Sequence, residues 1–216
     1  MFRVPFLPAL LAISLLPIMS SAAPVSFDGS WKHQRFSLFS SNSYGFNGSS
    51  VSVKSDGAVS LAYRALDQQL WSATNARWAW QVNAGVPPTD LARKGGDDRN
   101  LAIYFVFLPK ARAEQLKGAK VTKLLREETA RVLVYVWGGD ARRGQVLASP
   151  YLGARGKTVV LRGAGTGAFS EDVDLARDFG RAFGGAPEAL VGLAISGDSD
   201  DTDSQIQAAI SNLQIN

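Results

Sequence analysis

The chain has 216 residues, 23 of them Lys or Arg and 19 Asp or Glu, and its net charge of +4 is too small to argue for nucleic acid or a membrane surface as a partner. It has no cysteine and one histidine, His33, which excludes disulfides, thiolate metal sites, thiol nucleophiles and any multi-histidine metal centre. Charge is unevenly spread: residues 77–162 hold 16 basic against 7 acidic side chains, and residues 163–216 hold 2 against 9. Either the two segments neutralise each other across the folded surface, or the middle presents a basic face to an anionic ligand.

In chain order, residues 1–23 place Arg3 ahead of an apolar run and then Ser20, Ser21, Ala22 and Ala23, the order that signal peptidase reads. The run is broken by Pro8 and Pro17 and is shorter than the about 20 apolar residues a spanning helix needs. Residues 1–23 are therefore expected to be a signal peptide, removed after Ala22 or Ala23. The product is expected to be exported to the periplasm or beyond, with no integral membrane segment. Residues 24–216 suffice for one domain burying about 70% of the surface its unfolded chain would expose.

Residues 51–61 alternate apolar and polar around Asp56-Gly57, which predicts a hairpin with one wet face. Residues 77–82 put Trp78, Trp80 and Val82 on one face of a strand. Residues 101–108 and 132–137 are apolar on both faces, as central strands are. Residues 158–162, 190–196 and 209–215 complete seven or eight strands. Residues 109–130, rich in Ala, Leu, Lys, Arg and Glu, predict an inserted surface helix. Residues 169–183 predict a second helix capped by Ser170, with Glu171, Asp172 and Asp174 in its first turn, ending before Gly184-Gly185. Strands joined by turns, with helices as interruptions, predict a mainly all-β fold: an antiparallel β-sandwich of the jelly-roll type over 24–216. An α+β fold, with helices on one face of a single sheet, is the alternative.

One ordered set of motifs spans nearly all of this region. It comprises Trp78-Ala79-Trp80; Lys94-Gly95-Gly96-Asp97-Asp98 leading to Ile103-Tyr104; and Tyr135-Val136-Trp137-Gly138. Asp178-Phe179 with Phe183-Gly184 and then Asp198-Ser199-Asp200-Asp201-Thr202 follow. In this the chain resembles the bacterial exported family catalogued as domain of unknown function 3047. The resemblance implies an exported β-sandwich and attaches no reaction to it.

Four clusters are candidate sites. Asp198, Asp200, Asp201 and Asp203 offer the converging oxygens that a structural calcium ion takes, although the EF-hand glycine and terminal glutamate are missing; the other reading is a solvated turn bonding its own backbone. Lys94, Asp97, Asp98 and Arg99 are two acids between two bases beside a double glycine. They form either a salt-bridged turn or a site where an Asp does acid or base work while Lys94 and Arg99 hold an anionic substrate. Arg142 and Arg143 would extend that basic face. Trp31 and Trp71, in less regular surroundings than Trp78, Trp80 and Trp137, are the candidates for stacking on a sugar. His33 has no evident Ser and Asp partners and reads as a surface histidine. No cofactor beyond the calcium is indicated. The leading reading is a non-catalytic module binding a glycan or other cell-envelope polymer. A polysaccharide-acting enzyme using Asp97 or Asp98 is the alternative, and a structural envelope protein the third.

Overall fold

The computed structural model describes residues 22–216, so nearly all of the expected signal peptide lies outside the described residues. Thirteen strands form two sheets: β1 (Ala23–Pro24), β2 (Lys32–Arg35), β3 (Ser43–Asn47), β4 (Ser50–Asp56), β5 (Ser60–Ala65), β6 (Asn75–Ala84), β7 (Arg99–Leu108), β8 (Arg131–Trp137), β9 (Val146–Ser149), β10 (Gly153–Arg162), β11 (Gly167–Asp174), β12 (Ala189–Asp198) and β13 (Gln205–Ile215). One sheet runs β11-β6-β13-β4-β3, with β1 also on β13; the other runs β2-β5-β12-β7-β8-β10-β9. Three short helices, α1 (Lys110–Gln115), α2 (Val121–Leu125) and α3 (Leu175–Phe183), interrupt the strands.

The alternation of side chains across each strand explains the stacking. Trp78, Trp80 and Val82 of β6, Val51 and Val53 of β4 and Ile206 and Ile210 of β13 meet Leu101, Ile103 and Phe105 of β7 and Leu133, Tyr135 and Trp137 of β8 in one core between the sheets. Trp80 stands edge-on to Trp78 and Trp137, with ring centroids 5.4 and 5.6 Å away. Each such aromatic contact adds about 0.5–1.5 kcal/mol beyond the burial itself. The alternate residues of β7 and β8, Ala102, Val132, Val134 and Val136, point the other way and join Val160 and Leu91 in a second cluster. That cluster lies on the outer face of the seven-stranded sheet, beneath the loop 85–98. Gly139 permits this cover, since a Cβ there would come within 2.5 Å of Leu91.

The mainly-β sandwich is as expected, and several elements within it are corrected. The expected 51–61 hairpin does not form: β4 pairs with β3 and β13, and β5 with β2 and β12, so Asp56-Gly57 carries the chain from one sheet to the other. A two-residue turn signal reports a reversal, not which strand will be the partner. The sheets are not wholly antiparallel, because β10 runs parallel to β8, with β9 on its far side. The single helix over 109–130 is two short ones, separated by Gly118 in the left-handed region at φ +76°. The expected helix over 169–183 begins only at Leu175. Ser170, Glu171 and Asp172 lie in β11, paired with β6, and Asp174 is the cap, its side chain accepting from the Arg177 N–H at 2.8 Å.

Candidate functional site

The site is built where β7 and β12 meet. Their register slips between Ser196 and Asp198, leaving one extra residue in β7 and pairing Asp198 with Arg99. Ahead of β7, the loop carrying Asp97 and Asp98 is pinned by the buried Asn100. Its Oδ1 accepts from the Val86 N–H at 2.8 Å and its Nδ2 donates to the Gly165 carbonyl at 3.0 Å. The Thr89 hydroxyl donates to the Asp98 carbonyl at 2.6 Å.

The buried Arg99 guanidinium organises the side chains. Its Nη1 donates to the Asp97 carbonyl and carboxylate, both at 2.9 Å, and pairs with Asp198 Oδ2 at 3.0 Å. Its Nη2 donates to the Tyr104 hydroxyl at 2.8 Å, which in turn bonds the Ser196 hydroxyl at 3.1 Å. Tyr104 and Ser196 were not among the sequence candidates. Nothing local marks them, because they reach Arg99 only through the pairing of β7 with β12.

Asp98, fully buried, ties the two acidic loops together. Its carboxylate accepts from the Asp201 N–H at 3.3 Å, the Thr202 N–H at 2.7 Å and the Thr202 hydroxyl. Asp198 is different: its side chain is 8% exposed, and no donor reaches its Oδ1. Beside this carboxyl stands another, the exposed Asp200. Burial pushes the Asp198 carboxyl up to about 8 against the pull of Arg99, and Asp200 and Asp98 push the same way. Burial likewise raises Asp97, with Arg99 opposing. Oxygens of Asp98, Asp198 and Asp200 lie within 4.8 Å of one another, a spacing that either a hard cation or a shared proton can occupy.

A pH dependence of stability follows. With burial pushing it up to about 8, Asp198 holds its proton in the folded chain over a range where the unfolded chain, an ordinary carboxyl near 3.8, has released it, so its contribution is full below about pH 4 and is lost as pH rises towards 8. Asp198→Asn, a neutral replacement of the same shape, removes this term. Urea unfolding at pH 5 and pH 8 is expected to show the variant gaining on the wild type by roughly 3–4 kcal/mol across that interval. Parallel pH profiles for the two proteins would contradict a protonated Asp198.

The other nominated residues separate. Lys94 is exposed, with its ammonium 5.4 Å from the centre of the Tyr151 ring. That exposed ring is close enough to Asp97, Asp201 and Asp198 for their charges to act on its hydroxyl. Arg99 is no surface anion-binding residue, since its two terminal nitrogens are engaged by Asp97, Asp198 and the Tyr104 hydroxyl. Arg143 pairs with the buried Glu171 at 2.9 Å and belongs to a different region from Lys94. Trp31 and Trp71 are 6% and 7% exposed, in the core rather than on a sugar-binding face, and their indole N–H groups are spent on the Ser26 and Leu66 carbonyls. Asp203 turns away to Gly57 and Asp201 also stays outside the acidic group, which joins Asp198 and Asp200 to Asp98. His33 is an exposed residue bonded to the buried Ser60 hydroxyl at 2.8 Å.

Together these features define a two-sheet β-sandwich of jelly-roll type with a buried carboxylate–arginine cluster at one end of the outer face of its seven-stranded sheet. The chain belongs to the family described as Protein of unknown function (DUF3047), whose model matches residues 23–214. No curated protein sequence matches it. Similar solved structures include the xyloglucanase domain of NopAA from Sinorhizobium fredii, in complex with cellobiose, at 11% identity and TM-score 0.46, covering 93% of this chain and 99% of that one. A cellulase derived from Cel12A of Rhodothermus marinus is 14% identical at TM-score 0.47, covering 91% and 99%. The family 11 xylanase from Neocallimastix patriciarum is 12% identical at TM-score 0.43, covering 92% and 96%. A likeness this distant says nothing of chemistry.

Proposed function

We propose that the chain is a glycan-acting hydrolase in which Asp198 is the proton donor and Asp200 the partner carboxyl. The observation that carries this reading is the Asp198 carboxyl, buried beside other carboxyls and with one oxygen bound by no donor, where burial pushes it up to about 8. Two carboxyls sharing one proton are equipped for both halves of a hydrolysis. At a separation within 4.8 Å, too short for a water to attack between them, Asp200 attacks the anomeric carbon and holds the sugar as an ester until water, its proton taken by Asp198, releases it. Protonated Asp198 gives its proton to the leaving oxygen as the bond to the sugar breaks. Arg99 and the Tyr104 hydroxyl hold the far side of the cluster, and the exposed Tyr151 ring offers a face for the apolar side of a pyranose.

A bound cation is the second reading, motivated by the 4.8 Å grouping of Asp98, Asp198 and Asp200. It is weaker because Asp98 already accepts three hydrogen bonds and Arg99 occupies Asp198 Oδ2. Few oxygens are left for an ion that takes 6–8.

The test is release of reducing ends from a polysaccharide panel by the wild type, Asp198→Asn and Asp200→Asn, each with and without chelator. Turnover that survives chelation and falls roughly 10²–10⁴-fold in Asp198→Asn is expected. Binding of a glycan without turnover would return the chain to a binding module. Loss of both turnover and thermal stability on chelation would establish the cation instead.

A further inference from the structure

We infer that the loop joining β2 to β3 is a docking element for an anionic lipid surface. Leu38 and Phe39 are 89% and 98% exposed, and Phe36 beside them is also exposed. Large apolar side chains at loop tips are ordinarily turned inward or given a partner, because each gains about 1.5–3 kcal/mol on leaving water. This tip is built and not loose. The Ser37 hydroxyl accepts from the Phe39 N–H at 3.1 Å, Arg35 Nε donates to the Ser41 hydroxyl at 3.2 Å, and the buried Asn42 anchors the end of the loop to the Gly197 carbonyl at 2.8 Å.

The surrounding charge identifies the occupant. From Ser30 to Ser55 the chain has no Asp or Glu, while Lys32, Arg35 and Lys54 are all exposed. Lys54 and Phe39 border the same depression, where the one carboxylate, Asp56, accepts from the Gln205 amide. A small net charge over the whole chain is thus compatible with a mainly basic strip around an apolar tip. Apolar side chains entering the acyl boundary, ringed by cations that meet acidic headgroups, is the arrangement an anionic bilayer favours. Two adjacent side chains fall well short of the roughly 800 Å² per partner that a stable protein interface buries, so a second copy or another protein fits less well.

The experiment is co-sedimentation with vesicles of phosphatidylcholine alone and of phosphatidylcholine with 30% phosphatidylglycerol. It uses the protein as it accumulates in expressing cells, its N-terminus mapped by mass, and compares the wild type with Leu38→Ser/Phe39→Ser and Lys32→Gln/Arg35→Gln. The positions are exposed, so circular dichroism and melting temperature should not change. Binding to the anionic vesicles is expected to fall about tenfold or more in the apolar double variant. In the charge variant it is expected to fall several-fold, with the wild-type level also dropping as salt rises. Equal binding by wild type and Leu38→Ser/Phe39→Ser, or no binding by the wild type, overturns the inference. A concentration-dependent dimer that Leu38→Ser/Phe39→Ser abolishes, without vesicle binding, assigns the tip to a second copy and overturns it as well.

Discussion

Replacing Arg99 by Met is expected to destabilise the protein by roughly 3–5 kcal/mol, because it removes the single cation to which two buried carboxyls are fitted. Asp97 and Asp198 both lie within 3.0 Å of Arg99 Nη1, and their side chains are 4% and 8% exposed, so neither can turn to water without opening the junction of β7 and β12. The Tyr104 hydroxyl loses its donor in the same step. Without the guanidinium, Asp97 must take up a proton to stay buried and Asp198 must hold its own to higher pH. The loss should therefore be greatest above neutral pH and shrink on acidification, and Asp97→Asn/Asp198→Asn should recover part of it in the Arg99→Met background. Chemical denaturation at pH 5 and pH 8 measures this. A loss below about 1 kcal/mol at both would mean that the cluster is surface decoration, with the small energy of exposed ion pairs.

Trp80→Ala should cost a similar amount for a different reason. The indole is fully buried between the sheets, edge-on to Trp78 and Trp137, and its N–H points to Glu171 Oε1 at 3.2 Å. Truncation leaves a cavity that rigid strands on both sides cannot close, and large aromatic-to-alanine changes of this kind cost roughly 3–5 kcal/mol. The Glu171 carboxylate keeps Arg162 at 2.7 Å and Arg143 at 2.9 Å, so the polar end of the site survives and the loss is mainly one of packing. Trp80→Phe, which refills most of the volume, should recover more than half. Equal losses for the Ala and Phe variants would instead point to the indole N–H as the important contact.

The core strands were legible in the sequence for a local reason. Trp78, Trp80 and Val82 announce a strand by their period of two, and the unbroken apolar runs in β7 and β8 announce strands covered on both faces, because side-chain direction depends only on neighbours in the chain. The same locality explains the errors. The acidic start of the expected second helix resembles a capped first turn, yet Glu171 is drawn into β11 by pairing with Trp78 and by Arg143 and Arg162, none of which lies within a helical turn of it. The tryptophans most suited by sequence to meet a sugar, Trp31 and Trp71, are buried because the connections that carry them, just ahead of β2 and between β5 and β6, fold onto the core.

The candidate site divides in the same way. Asp97, Asp98, Asp198 and Asp200 are conspicuous as acidic clusters, and the sequence by itself determined that these residues would stand in two turns flanking strands. Only the tertiary structure decided that the two turns are one place. The antiparallel pairing of β7 with β12 sets Arg99 opposite Asp198 across a register slip, and Asp98 then stitches the second turn down through Thr202. What each carboxyl does was decided there too. Ionisation depends on burial and on the charges within a few ångströms, and Asp198 acquires both from residues about a hundred positions away in the chain.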